Sequence, residues 1–358
     1  MTSPARTVLL TGGAGVLGTA LIPQLRDYRV IGLARRRPLA GCDEVVRGDI
    51  SRPRLGLDPA RYRTLCAEVD VVVHAAGMVK FSGTAEEMRT HNVEGARRIS
   101  RFAVDAGAPM IHVSSAYVAR REEILAAGGD RTGRAGSSPS QYVSSKVAGE
   151  EAVTGSGAQA VIVRPSIIIG DSVTGEISEA QGLHTFAHQV LLNRLPFTPS
   201  EPTGYVDFVP RDVVARAIVS LLDSGARTGE YWLSGGANAL TTERLVQLII
   251  EEAAAEGIRV EPLRILAPDV VERLIRPAFF DVVPGWAKTR LDRLLDQTAV
   301  LFHRHPLPSS LAEIPGCAAA ADLRANEEAW RASVRHLVRT RHHIYARAGS
   351  RVPAPGPV

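Results

Sequence analysis

The stretch Thr7-Val-Leu-Leu-Thr11 runs directly into Gly12-Gly-Ala-Gly-Val-Leu-Gly18, and nothing else in the chain limits its fold so tightly. A short apolar run bounded by glycine reads as a buried strand, and Gly15–Leu25 then carries helical periodicity. Glycines 12, 15 and 18 have the spacing Gly-x-x-Gly-x-x-Gly. In a strand–turn–helix unit the first glycine permits a tight turn. The second lets backbone approach an anion, and the third allows close packing of helix on strand. The first N–H groups of the helix then face a phosphate. Thr11, Val16 and Leu17 flank this turn and join the three glycines as expected dinucleotide contacts.

The same alternation continues. Arg29–Ala34, Glu44–Arg47, Asp70–Ala75, Pro109–Ser114 and Ala158–Arg164 read as strands, with helical patterns at Glu86–Ala106 and Gln141–Val153. Alternation of this kind predicts an α/β fold: a Rossmann-type, doubly wound parallel sheet with right-handed crossovers. Beyond Pro165 the pattern loosens. Leu183–Asn193, Arg211–Asp223, Thr242–Glu256, Asp269–Ile275, Trp286–Val300 and Glu327–Arg347 read as helices, and Tyr205–Val209 and Glu230–Leu233 as strands. The expected organisation is a dinucleotide-binding domain over 1–170, rejoined by 205–235. A smaller, mostly helical substrate region follows over 171–204 and 236–320, then a basic helical tail over 321–358 whose Pro-rich end frays.

Composition narrows the class. Of 358 residues, 45% are apolar and 22% charged, as in ordinary globular proteins. No apolar run approaches the length of a membrane span. The start has no signal-peptide core. Cys42, Cys66 and Cys317 are odd in number, far apart and without metal spacing, so reduced thiols and a cytoplasmic setting are expected. The net charge of +4 sits in the tail, where seven arginines from Ala321 onward face three acids. A neutral body with a basic tail does not suggest nucleic-acid binding.

The end of the second strand discriminates between dinucleotides. An acid there binds a ribose hydroxyl, whereas arginine suits a 2′-phosphate. The sequence is Leu33-Ala-Arg-Arg-Arg37, with Arg35 and then Arg36 best placed, so NADPH is the expected cofactor. Asp49 and Ile50, after the third strand, are placed to meet the adenine. Ala75, Ala76 and Gly77, after the fourth, leave room for the cofactor. Asn92 is expected to tie the loops after strands four and five together.

Tyr142-Val-Ser-Ser-Lys146 puts a phenol and an ammonium on one helix face. The ammonium favours phenolate and is expected to lower the Tyr142 pKa, fitting the phenol to exchange a proton with a carbonyl oxygen. Ser114-Ser115 ends the fifth strand, on the sheet edge where ligands bind; a hydroxyl there can hold the same oxygen.

Taken together, these residues resemble the extended short-chain dehydrogenase/reductases over about residues 5 to 250. His74-Ala-Ala-Gly-Met-Val-Lys-Phe81, His112-Val-Ser-Ser-Ala-Tyr-Val118, Ile162-Val-Arg-Pro-Ser-Ile-Ile-Ile-Gly-Asp171 and Val206-Asp-Phe-Val-Pro-Arg-Asp-Val-Val214 are similar to the fatty acyl-CoA reductase (male sterility) and thioester reductase branch. The resemblance implies a Ser115–Tyr142–Lys146 catalytic triad, with Ser114 as fallback and Lys146 also on the nicotinamide ribose. It adds Arg164 and Pro165 to the cofactor set. The implied reaction is reduction of an acyl thioester, on CoA or an acyl carrier protein, to aldehyde or alcohol. A ketone, alcohol or hydroxysteroid dehydrogenase and a nucleotide-sugar epimerase or dehydratase use the same residues, and a non-catalytic NADPH sensor is the reading from another class. A homodimer is compatible with the sequence. Arg331, Arg335 and Arg339 share a helix face, read as solvated or as a dock for an acidic partner. Met78, Phe81, Leu183, Phe186 and Phe197 are the acyl-pocket candidates.

Overall fold

In the computed structural model, residues 5–36, 38–79, 84–126, 139–275, 277 and 301–350 are described. The helix expected over residues 286–300, the Pro-rich end from 351, Arg37 and Phe81 lie outside them.

Seven parallel strands form the central sheet: β1 (Thr7–Thr11), β2 (Arg29–Ala34), β3 (Glu44–Arg47), β4 (Val71–His74), β5 (Met110–Val113), β6 (Ala160–Pro165) and β7 (Gly229–Leu233). Their spatial order is β3-β2-β1-β4-β5-β6-β7. The strands are apolar on both sides because both faces are covered. Val8, Leu10, Val71, Val73, Ile111, Val113, Val161 and Val163 pack towards α1 (Val16–Leu21) and the helix Arg211–Asp223. Leu9, Ile31, Val72 and Met110 pack the other way, with Leu65 of α2 (Pro59–Glu68) and Ile99, Phe102 and Ala103 of α3 (Gly95–Ala106). Strand order reverses between β1 and β4, the switch point at which open α/β sheets bind ligands.

The helix read over Glu327–Arg347 is divided at Arg341, and the piece over Asp269–Ile275 passes into a π-helical turn; two further differences bear on the site. The helix expected over Glu86–Ala106 has three parts: Ala85–Met88, a π-helical turn Arg89–Glu94, and α3. The strand expected over Tyr205–Val209 divides at Asp207. Tyr205–Val206 pairs antiparallel with Leu240–Thr241 and Phe302–His303, whereas Phe208–Pro210 pairs parallel with Ile167–Ile169. Asp207 is fully buried and accepts from the N–H groups of Gly235 (2.9 Å) and Gly236 (3.0 Å). A side chain clamping two backbone amides fixes the break.

A second apolar core joins α5 (Leu183–Leu191), α7 (Thr242–Ala255), α8 (Leu323–Thr340) and α9 (His342–Gly349), where α4 and α6 are the helices Pro139–Thr154 and Arg211–Asp223. Trp330 of α8 has no exposed surface and donates from its indole to the Leu245 carbonyl at 3.2 Å. The arginine stripe of α8 stays partly exposed, with Arg335 at 41% and Arg339 at 64%, but its charges are already paired. Arg331 pairs with Glu251 (2.5 Å) and Glu252 (2.9 Å), Arg335 with Glu252 (2.9 Å), and Arg339 with Glu256 (2.6 Å). The acids of α7 consume the charge that the sequence offered to an acidic partner.

Candidate active site

The glycine turn lies against the end of β4. Gly12 has φ +78°, and a Cβ there would stand 2.5 Å from the Ala75 carbonyl carbon. A Cβ on Gly18 would stand 2.4 Å from the Gly12 oxygen. Gly15 precedes α1, is exposed, and donates its N–H to the Gly12 carbonyl at 2.9 Å. Val16 and Leu17 open α1. Gly12 thus packs directly on the Ala75-Ala76 backbone, and Gly15 brings no Cβ to the start of α1. Glycines and alanines alone at this sheet edge suit the approach of a pyrophosphate.

Thr11 links the two walls. Its hydroxyl accepts from the Ala76 N–H (3.3 Å) and is hydrogen-bonded to His74 Nδ1 (2.7 Å). His74 pairs in register with His112, and their rings stack with centroids 5.3 Å apart. Burial, and then the nearby Lys146 charge, pushes His74 down to about 3; His112 is also driven well below its ordinary value, by burial first. Both are neutral at physiological pH.

At the outer end of β2, Arg35 and Arg36 are exposed. The Arg35 charge reaches the Asp49 carboxylate. Burial would raise that carboxylate, but Ser51, through its hydroxyl (2.7 Å) and N–H (2.9 Å), together with Arg35, brings it below the ordinary range. Ile50 packs where a Cβ on Gly95 would stand 2.9 Å from it.

Asn92 sits in the π-helical turn and is buried. It accepts from the Met78 N–H (2.7 Å) and donates to the Met78 carbonyl (3.0 Å) and to Ser145 Oγ (2.9 Å). Ser145 donates to the Tyr142 carbonyl at 2.7 Å. Asn92 therefore ties the loop after β4 to α4, rather than to the loop after β5 as expected. A π turn supplies the extra residue that aims it there.

Tyr142 and Lys146 lie one turn apart on α4, both buried. Ser115 is hydrogen-bonded to the Tyr142 phenol and caps the short helix Ala116–Arg120. Ser114 does not join them: its N–H enters the sheet ladder and its buried hydroxyl has no partner among the described residues. Lys146 Nζ donates to the Val113 carbonyl at 3.2 Å, and a Cβ on Gly77 would lie 3.6 Å from it. Burial lowers Lys146 to about 8. Burial also raises the Tyr142 phenol, while the Ser115 hydrogen bond pulls it down. The expected depression by Lys146 is not present; desolvation outweighs it.

Arg164 also departs from expectation. Its guanidinium donates to Glu150 (2.9 and 2.7 Å) and Glu230 (2.6 Å) and lies 4.4 Å from the centre of the Trp232 ring. Those bonds lock α4 and β7 onto β6, so the side chain is structural and leaves the cofactor set. Pro165 ends β6, buried beside Leu233. Of the acyl-pocket candidates, Met78 packs beside Tyr142, while Leu183 and Phe186 belong to the second core and Phe197 packs on Val271. Sequence reasoning missed Ser145, although it lies inside the Tyr-x-x-x-Lys segment. It also missed the histidine pair, whose signal was two His residues at the ends of neighbouring strands.

Residues 41–218 match the model of a family described as Male sterility protein. Over these residues the chain belongs to the male sterility family. The chain shares its fold with the terminal R domain of the myxalamid PKS-NRPS pathway, at TM-score 0.71 and 22% identity, over 95% of this chain and 92% of that one. It is 30% identical to a hybrid PKS-NRPS synthetase of Penicillium oxalicum over 62% of its own length but only 6% of the synthetase's. It is 36% identical to the ceramide reductase of Caulobacter vibrioides over 49% of this chain and 50% of that protein. The chain thus spans a small part of the synthetases it matches. No helix among the described residues is long and apolar enough to cross a membrane, and no group of three or more metal-ligating side chains occurs among them.

Proposed function

We propose that the protein is an NADPH-dependent reductase of acyl thioesters borne on CoA or on an acyl carrier protein. The observation that carries this reading is the hydrogen-bonded Ser115–Tyr142 pair, one helical turn from Lys146, which lies beside Gly77. The likeness to R domains supports the thioester as substrate. Gly12, Gly15, Gly18 and Ala75–Gly77 would hold the pyrophosphate, Arg35 and Arg36 the 2′-phosphate, and Lys146 the nicotinamide ribose. When bound, the dinucleotide supplies hydride to the acyl carbon.

The chain's own residues manage the oxygen. Ser115 and Tyr142 aim hydroxyls at it, and preorganised donors of this kind contribute about 3–4 kcal/mol each at a developing oxyanion. Burial keeps the Tyr142 proton in place until that oxygen becomes basic enough to take it. Lys146, lowered by burial to about 8, stays mostly cationic at neutral pH and would hold the ribose beside that phenol. The described residues of 171–204, 236–275 and 301–320 would form the acyl side, and aldehyde is the first product. The match to a ceramide reductase favours one second reading, reduction of a ketone on a long lipid chain.

An assay of NADPH consumption over acyl-CoA, acyl-carrier and ketone substrates, with products identified, separates the two. Thioester reduction releases one thiol per first hydride; ketone reduction releases none. Arg35→Ala should raise KM for NADPH about tenfold or more and leave KM for NADH unchanged, because a guanidinium–phosphate contact is lost. Equal effects on both cofactors would remove Arg35 from the 2′-phosphate.

A further inference from the structure

We propose that Tyr117 is a specificity residue whose phenolic hydroxyl donates a hydrogen bond to an acceptor oxygen that the substrate carries beside its reacting carbonyl. The proposal deepens the thioester reading above and rests on it.

Tyr117 follows Ser115 by two residues, and its N–H donates to Ser115 Oγ at 3.4 Å. The same Ser115 hydroxyl bonds the Tyr142 phenol. One hydroxyl thus fixes the backbone of Tyr117 and the ring of Tyr142. Both rings belong to a small apolar cluster with Met88, Ile124 and Val143, packed by Met78 and Ile167. The Arg120 guanidinium, itself paired with Glu123 at 2.9 Å, lies 5.9 Å from the centre of the Tyr117 ring. The ring is held by these contacts.

Its hydroxyl is not. It is buried and has no hydrogen-bond partner among the described residues. Among the buried hydroxyls in that condition, that of Tyr117 belongs to a ring packed in one apolar cluster with Tyr142. A fold rarely retains an unpaired buried hydroxyl without a use, because phenylalanine would fill the same space at lower cost. Burial does not separate Tyr117 from the reacting groups: it is 4% exposed, against 4% for Ser115 and 9% for Tyr142. Burial first, with Asp207 and Tyr142 adding and Arg120 opposing, keeps the phenol protonated far above neutral pH, so its O–H is always there to donate. Its complement is an acceptor: a keto, hydroxyl or amide oxygen one or two carbons from the thioester carbonyl.

The test compares the wild-type protein with Tyr117→Phe on two pantetheine thioesters of equal chain length, one plain acyl and one β-hydroxyacyl. Thermal midpoints are measured alongside. The wild type should prefer the β-hydroxyacyl thioester by about tenfold in kcat/KM, the worth of one hydrogen bond. Tyr117→Phe should lose that preference through the hydroxylated substrate alone and keep or raise the thermal midpoint, since it removes an unpaired group. A lowered midpoint, an equal loss on both thioesters, or an intact preference would each overturn the assignment. Turnover of neither thioester by the wild type would instead defeat the thioester reading, and this proposal with it.

Discussion

At the scale of single residues, the site is a set of buried polar groups, each with its own desolvation cost. Tyr142, Lys146, His74 and His112 all lie under a tenth exposed, and in each the charged form is disfavoured. The glycine turn, the Tyr-x-x-x-Lys pair and Ser115 were legible because each is a local pattern on one element. The pKa direction of Tyr142 was not, because it depends on what the fold packs around the ring. Nor was the commitment of Arg164, whose acids stand on two other elements. The two serines give a sharp prediction. Ser115→Ala should lower kcat/KM by about a hundredfold or more, the effect of removing one oxyanion donor. Ser114→Ala should change it by less than about threefold. Steady-state kinetics on both variants would check this, and the reverse ranking would put the fallback in its place.

At the scale of elements, the seven strands of the central sheet were readable to within two residues, mostly as short apolar runs, whereas the parallel strands Ile167–Ile169, Phe197–Pro199 and Arg264–Leu266 were not. The breaks within elements were not readable. The π-helical turn at Arg89–Glu94 exists because Asn92 reaches both Met78 and Ser145. The split at Asp207 exists because its carboxylate takes two amides from Gly235 and Gly236. Both are tertiary demands. The basic face of α8 shows the same limit: its periodicity was visible, but the acids of α7 that meet it lie some 80 positions earlier. Glu252, with its side chain 7% exposed, takes two arginines, whereas Arg339 is 64% exposed. Glu252→Ala should therefore cost about 2 kcal/mol, and Arg339→Ala about 0.5 kcal/mol or less. Urea unfolding of the two variants measures the difference; equal losses would show that burial does not set the strength of this ladder.

At the scale of the whole molecule, four histidines among the described residues are held neutral by burial, and the half-buried His188 is lowered by burial as well. His74 lies at about 3, His184 and His303 at about 4, and His112 well below its ordinary value. An unfolded histidine titrates near about 6.5. Below that, the unfolded chain takes up protons that the folded one refuses. The stability contributed by these histidines is therefore present above about 6.5 and lost as pH falls towards their folded values. Asp207, raised to about 6 by burial, works the other way, contributing below its ordinary value and losing that contribution as pH rises through about 6. Four groups outweigh one. The urea midpoint should fall steadily from about pH 6 to about pH 4, each uncompensated proton contributing about 1.4 kcal/mol per pH unit. A flat midpoint over that range would mean the histidines are solvated.

The account turns on the Tyr142 phenol, and thiol release followed together with NADPH oxidation on an acyl-pantetheine thioester reads its role directly. The wild type should release thiol with NADPH loss, in equal amounts for as long as aldehyde is the product. Tyr142→Phe, folded to the same thermal midpoint within a few degrees, should do so at least about a hundredfold more slowly. Thiol release by that variant at near wild-type rate, or NADPH loss in the wild type without thiol, would contradict the account.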